Sequence, residues 1–259
     1  MIARWPAVIG ILLALVCAQD APAASGKRAA PQGAVAGAPP EYTIFTPAEL
    51  TRGFLALAFG SDLRLGSKLA RIHRFEEPVK VHVAAGGSVN RAESYRKILG
   101  EFAKEFPSLR LIMTEDSYAA NFVVRLIDEK EFPVALRAAF GEATAREFVK
   151  RTDPQCMTAV KSAAEGGIIR VDSFIIVDQG DDVFFNCAYH EMLHALGLPN
   201  HDQRNPWTAL NQDRQVGYLT VYDRALILML YDPRIRSGMS RAQAGQTASE
   251  IAKELAGRN

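Results

Sequence analysis

Cysteine is scarce in this chain, with three in 259 residues, and neither sign of charge dominates: 30 basic residues face 29 acidic ones, a formal net charge of +1. The charges are scattered rather than run together, so nothing points to nucleic acid or an anionic membrane surface as a partner. Long apolar runs are missing too. The longest, residues 7–18, falls short of the roughly 20 residues that a membrane-crossing helix requires. No internal repeat of useful length occurs, and no oxygen-rich loop continues from Asp181 and Asp182, so these read as helix-start charges rather than calcium ligands. What remains is an ordinary globular composition, 48% hydrophobic and 23% charged, long enough to bury one good-sized core in a single domain or two subdomains.

The first 23 residues read as an export signal. Arg4 supplies the positive start, residues 7–18 the apolar stretch, and Ala21-Pro22-Ala23 a small-residue cleavage site. The alternative is an uncleaved N-terminal anchor. Export makes the mature protein periplasmic or secreted, with no stable membrane span expected after cleavage. Residues 24–41 are rich in Ala, Gly and Pro, lack large apolar side chains and form a flexible linker. The folded part is then residues 42–259, a single domain with an N-terminal subdomain to about residue 197 and a C-terminal subdomain over 198–259.

Cys17 belongs to the discarded signal, which leaves Cys156 and Cys187. In an oxidising compartment their default state is a disulfide, tying the segment around residue 155 to the helix that follows Cys187. A rival reading makes Cys187 a metal thiolate.

Helical and strand-like segments alternate from about residue 41. Thr46-Pro47-Ala48-Glu49 opens a helix with an N-cap and a first-turn proline, and Leu50, Phe54, Leu55 and Phe59 give it one apolar face. Residues 79–83, 109–113 and 122–127 read as strands, 91–105 and 132–140 as helices, and 168–171 and 174–177 as two β-rich runs. A helix over about 182–196 follows. Residues 199–218 are polar and irregular, the lower wall of a cleft. Thr220 and Asp223 frame a capping-box-like start to a helix over 222–231, and a last helix spans about 240–255.

The most specific run is His190-Glu191-Met192-Leu193-His194. Two histidines four residues apart share one helix face and can grip one zinc ion, with Glu191 placed as a general base. Three of the five histidines fall within twelve residues, and Gly197 stands where the helix must stop and turn. His73 and His82 lack such partners and read as structural or surface residues.

The run from His190 through Gly197-Leu198-Pro199-Asn200-His201 resembles the extended zinc signature of the metzincin peptidases, and is especially similar to the snapalysin group. The resemblance implies an α+β, zincin-like fold: a mixed sheet with a zinc-binding active-site helix and a mostly irregular or helical C-terminal part. It places His190 and His194 as the first two ligands, Glu191 as the general base and Asn200 at the third-ligand position. Three ways to complete the shell stay open: Asn200 through its amide oxygen, His201 after a one-residue shift, or Asp202 after a larger one. Metzincins also carry a methionine turn beneath the metal; Met229 and Met239 are its candidates, with Tyr231 as an extra ligand, although each also reads as an ordinary core or loop residue.

A second resemblance covers more of the chain. The signal, Cys187 ahead of the motif helix, Gly197-Leu198-Pro199-Asn200, and Leu230-Tyr231-Asp232-Pro233-Arg234 with Gly238-Met239 are similar to a family of exported proteobacterial proteins, domain of unknown function 2927. Many of its members lack the histidine pair, which implies that the scaffold can serve without catalysis.

Two functions follow as expectations. The first is an exported zinc metallopeptidase that hydrolyses peptide bonds of a peptide or protein substrate with a zinc-bound water and Glu191 as general base. The second is a non-catalytic zincin-like envelope protein with a binding or structural role.

Overall fold

The computed structural model describes residues 11–16, 44–60, 70–143, 145–146 and 155–257. Most of the expected signal and linker therefore lies outside the described residues, as does the Asp153-Pro154 approach to Cys156. The strands are β1 (Ile11–Val16), β2 (Lys80–Ala84), β3 (Ile112–Met113), β4 (Phe122–Ile127), β5 (Cys156–Ser162) and β6 (Ile168–Ile176). The helices are α1 (Pro47–Ala58), α2 (Ala92–Glu105), α3 (Phe132–Phe140), α4 (Asp181–Leu196), α5 (Val221–Leu230) and α6 (Arg241–Ala256).

The architecture is α+β around a mixed sheet. Strands β5, β6, β4, β2 and β3 lie side by side in that order. β6–β4, β4–β2 and β2–β3 pair in parallel, while β5 runs antiparallel to β6. β4 is buried at four of its six positions and half-buried at the other two, as befits a central strand covered on both faces. Within the apolar run assigned to the export signal, β1 pairs antiparallel with the outer edge of β5.

Several boundaries match the sequence pattern. α1 begins at a full capping box between Thr46 and Glu49. β4 and α3 span the ranges expected from their periodicity. Three differences have physical causes. Residues 109–113 give only a two-residue strand, because Pro107 opens a 3₁₀ turn and Arg110 takes a left-handed conformation (φ 46°). The two β-rich runs before the motif are one strand, β6, whose polar Asp172 and Ser173 pair across to β4 and β5. The sequence pattern does not mark β5: its Thr158 and Ser162 are polar yet buried, and break the apolar alternation.

α4 carries the motif and is the most enclosed element. Every residue from Asn186 to Leu196 is buried, so the helix lacks the polar face of a surface helix. It packs on β5 and β6, with α2 and α5 against its other sides. Full burial of side chains such as Leu193 and Leu196 stabilises by about 1.5–3 kcal/mol each. The Cys156–Cys187 disulfide joins the start of β5 to α4, the crosslink expected of an exported protein. One large hydrophobic core runs from Phe45 to Ala252 and takes in both faces of α4. Among the described residues no helix is long and apolar enough to cross a membrane.

Candidate metal centre

The site is built from the end of α4 and the turn that follows it. Gly197 caps the helix at φ 113°, and a Cβ there would stand 2.0 Å from the His73 carbonyl oxygen. Only glycine fits, both for its left-handed backbone and for this close approach. The turn it permits sends residues 198–201 back along the helix and delivers His201 beside His190 and His194.

The three imidazoles meet through their Nε2 atoms. His190 and His194 stand 2.9 Å apart, His190 and His201 3.0 Å, and His194 and His201 3.1 Å. All three rings are enclosed, with exposures of 3%, 0% and 8% for His190, His194 and His201.

Their far sides fix what those nitrogens present. Nδ1 of His190 lies 2.7 Å from the Ala209 carbonyl oxygen, and Nδ1 of His194 lies 2.7 Å from that of Leu198. A carbonyl can only accept, so each Nδ1 carries the proton. Burial first, then the charge of neighbouring imidazoles, holds the pKa of both rings well below the usual histidine range, against a smaller opposing effect from the carbonyls. Both rings are therefore neutral and both Nε2 atoms offer lone pairs. Two lone pairs at 2.9 Å repel rather than bond. A metal ion satisfies all three nitrogens at once.

The geometry suits that role. Tetrahedral zinc with nitrogen ligands at 2.0–2.1 Å separates them by about 3.4 Å, so the triad need spread by only a few tenths of an ångström. The three buried histidines lie close enough to hold one metal ion. Three imidazoles suit zinc, copper, iron or nickel.

Of the other expected ligands, Asn200 is anchored through its nitrogens, while its amide oxygen is buried without a hydrogen-bond partner. Nδ2 of Asn200 donates to the carbonyls of Ala56 and Phe59 at 3.0 and 2.9 Å, and its backbone N–H to that of Leu57, so Asn200 ties the metal turn to the end of α1. Asp202 accepts from the backbone and side chain of Arg204. The one-residue shift to His201 is the alternative that brings a ligand into the cluster. Cys187 is oxidised rather than a thiolate. Met229 is wholly buried within α5, and Met239 accepts from the Arg236 N–H. Tyr231 donates its hydroxyl to the Leu196 carbonyl and accepts from the Phe75 N–H, holding the end of α4 in place.

Glu191 is fully buried on α4. Burial, and then the Glu191 charge, push ionisation of the Tyr95 phenol well above its usual range, so this tyrosine on α2 stays a neutral neighbour of the carboxylate. Beside His190 lies a water-sized cavity of about 10 Å³ lined by Asn186, Asn211 and both cysteines. A larger cavity of about 570 Å³ opens between α1 and the 202–207 loop, with Trp207, Tyr222, Arg52 and Asp202 among its walls.

The supporting carbonyls of Leu198 and Ala209 have no counterpart in the sequence pattern, since backbone groups leave no residue signature. Tyr95 reads in the sequence only as an apolar position of the helix expected over 91–105.

No curated protein and no solved structure matches the chain. One family model does: protein of unknown function (DUF2927) matches residues 47–249. That span contains the whole histidine cluster, Glu191 and both disulfide cysteines, and the chain belongs to that family.

Proposed function

We propose that this chain is an exported zinc metallopeptidase of zincin-like type, with His190, His194 and His201 as ligands and Glu191 as general base. The observation that carries the reading is the convergence of three Nε2 atoms within 2.9–3.1 Å, two of them lone-pair donors fixed by carbonyls on their far side. Zinc in such a site supplies Lewis acidity and lowers the pKa of water to about 7. Glu191, next to His190 on α4, accepts the proton of the attacking water and returns it to the leaving amine. Asn200 positions the metal turn against α1 and takes no part in proton transfer.

Cleavage of a peptide library by wild type and by Glu191→Gln tests the reading, with metal content measured on both. Loss of cleavage with metal retained supports it; equal cleavage by the two overturns it. A second reading, a non-catalytic metal-binding envelope protein, is favoured by the enclosure of the site, where Glu191 has 0% exposure and none of His190, His194 and His201 exceeds 8%. It requires metal binding with no cleavage by wild type.

A further inference from the structure

The Ala209 carbonyl that orients His190 belongs to an irregular loop, and nothing in helix or sheet pairing holds it there. Its support comes from α5. Asp223, in the first turn of that helix, is fully buried. Its Oδ2 accepts from the Ala209 N–H at 2.9 Å, and its Oδ1 accepts from the Thr208 hydroxyl at 2.6 Å. The Thr208 hydroxyl in turn accepts from the Leu210 N–H at 3.1 Å, which leaves its own proton for the carboxylate. On the other side, Thr220 accepts from the Asp223 N–H at 3.0 Å and donates to the Trp207 carbonyl at 2.7 Å. Residues 207–210 are thus gripped on each side of Ala209 by the N-terminus of α5.

We infer that Asp223 is a positioning residue for the metal centre, acting on His190 through Ala209. The inference rests on the metal-binding reading above. A carboxyl group that accepts at both oxygens acts as the carboxylate, and a buried carboxylate is costly unless its surroundings use the charge. Two such surroundings are present: the N-terminal end of α5, where a negative charge is favoured, and the His190 side. There the chain runs from carboxylate to Ala209 N–H, and from the Ala209 carbonyl to Nδ1–H of His190. An anion at the far end strengthens the carbonyl as acceptor and makes Nε2 a better donor to a cation. Local capping explains an acidic residue at this position of α5; it does not explain why both oxygens are turned onto the loop that carries the His190 acceptor.

The test uses the disulfide-intact domain, stripped of metal and titrated with Zn²⁺ against a competing chelator, with Co²⁺ absorption as the record of ligand geometry. Asp223→Asn keeps the size of the side chain and removes its charge. It is expected to weaken zinc binding by about 10–100-fold and to shift the Co²⁺ ligand-field bands. Thr208→Val, which keeps the charge but removes one of its anchors, is expected to weaken zinc binding in the same direction, and Thr208→Ser to restore it. A merely structural role would lower the melting temperature of the metal-free protein while leaving zinc affinity and the Co²⁺ spectrum within about twofold of wild type; that result overturns the inference. Should Asp223→Asn fail to fold, the Thr208 pair decides by the same criterion. Wild type that binds no Zn²⁺ would remove the metal reading itself, an outcome distinct from equal affinity across the variants.

Discussion

Acidification should destabilise the metal-free protein in a window that belongs to the histidine cluster. His190 and His194 are held neutral in the fold, their pKa well below the ordinary 6.5 because of burial and then neighbouring imidazole charge. In the unfolded chain both rings protonate near 6.5, so below that pH the unfolded state binds more protons and stability falls. Above it, both states are neutral and the contribution is fully present. From about pH 7.5 to about 5.5 each ring that stays neutral in the fold removes about 1.4 kcal/mol, or about 2.7 kcal/mol for the pair. At roughly 2–4 °C per kcal/mol for a domain of this size, the melting temperature should drop by about 5–11 °C. His73, whose pKa is also lowered by burial, acts in the same direction. The depressed carboxyls of Glu49, Asp128 and Asp232 lose their contribution only below their ordinary values of 4.5, 3.8 and 3.8, outside this window. The assay is thermal or urea unfolding in chelator across this pH range, for wild type and for His190→Gln/His194→Gln. The difference between their slopes isolates the pair. Equal slopes would refute the assignment of two buried neutral imidazoles.

Further predictions concern the scaffold. Asn200→Ala should cost about 1–3 kcal/mol, measured by urea unfolding, through loss of the amide donor to Ala56 and Phe59, while leaving metal stoichiometry unchanged; loss of metal would contradict its placement outside the shell. Gly197→Ala should destabilise by more than the 1–2 kcal/mol of a left-handed residue, because the added Cβ meets the His73 carbonyl, and should abolish metal binding by displacing His201. Replacing both disulfide cysteines with serine opens a 31-residue separation and should cost about 3.7 kcal/mol on the chain-entropy scale; non-reducing mass measurement of wild type should show no free thiols.

Much of the scaffold could be read from periodicity because single residues announce it. The capping box at Thr46 and Glu49, the alternation before Ala84 and the apolar spacing of α2 are local signals, and local physics decides those elements. β5 and the merged β6 could not be read in this way, since Thr158, Asp172 and Ser173 are polar residues whose burial is settled by partners far away in sequence; Thr158 and Ser173 bond to each other at 2.6 Å. The same division runs through the site. His190, Glu191 and His194 are spaced by helix geometry and were legible. The choice between Asn200 and His201 depended on where α1 ends, because the carbonyls of Ala56 and Phe59 bind Asn200 and leave His201 to face the pair. The hold on His190 through Ala209 and Asp223 involves a backbone carbonyl and a residue 33 positions away in sequence, which no motif encodes.

The central claim is that His190, His194 and His201 together hold one metal ion, and elemental analysis of the purified, disulfide-intact protein after equilibration with zinc and desalting tests it most directly. About one zinc per chain is expected in wild type and in Asn200→Ala, falling to near zero in His201→Ala. Wild type that emerges free of metal, or His201→Ala that keeps a full equivalent, would contradict it.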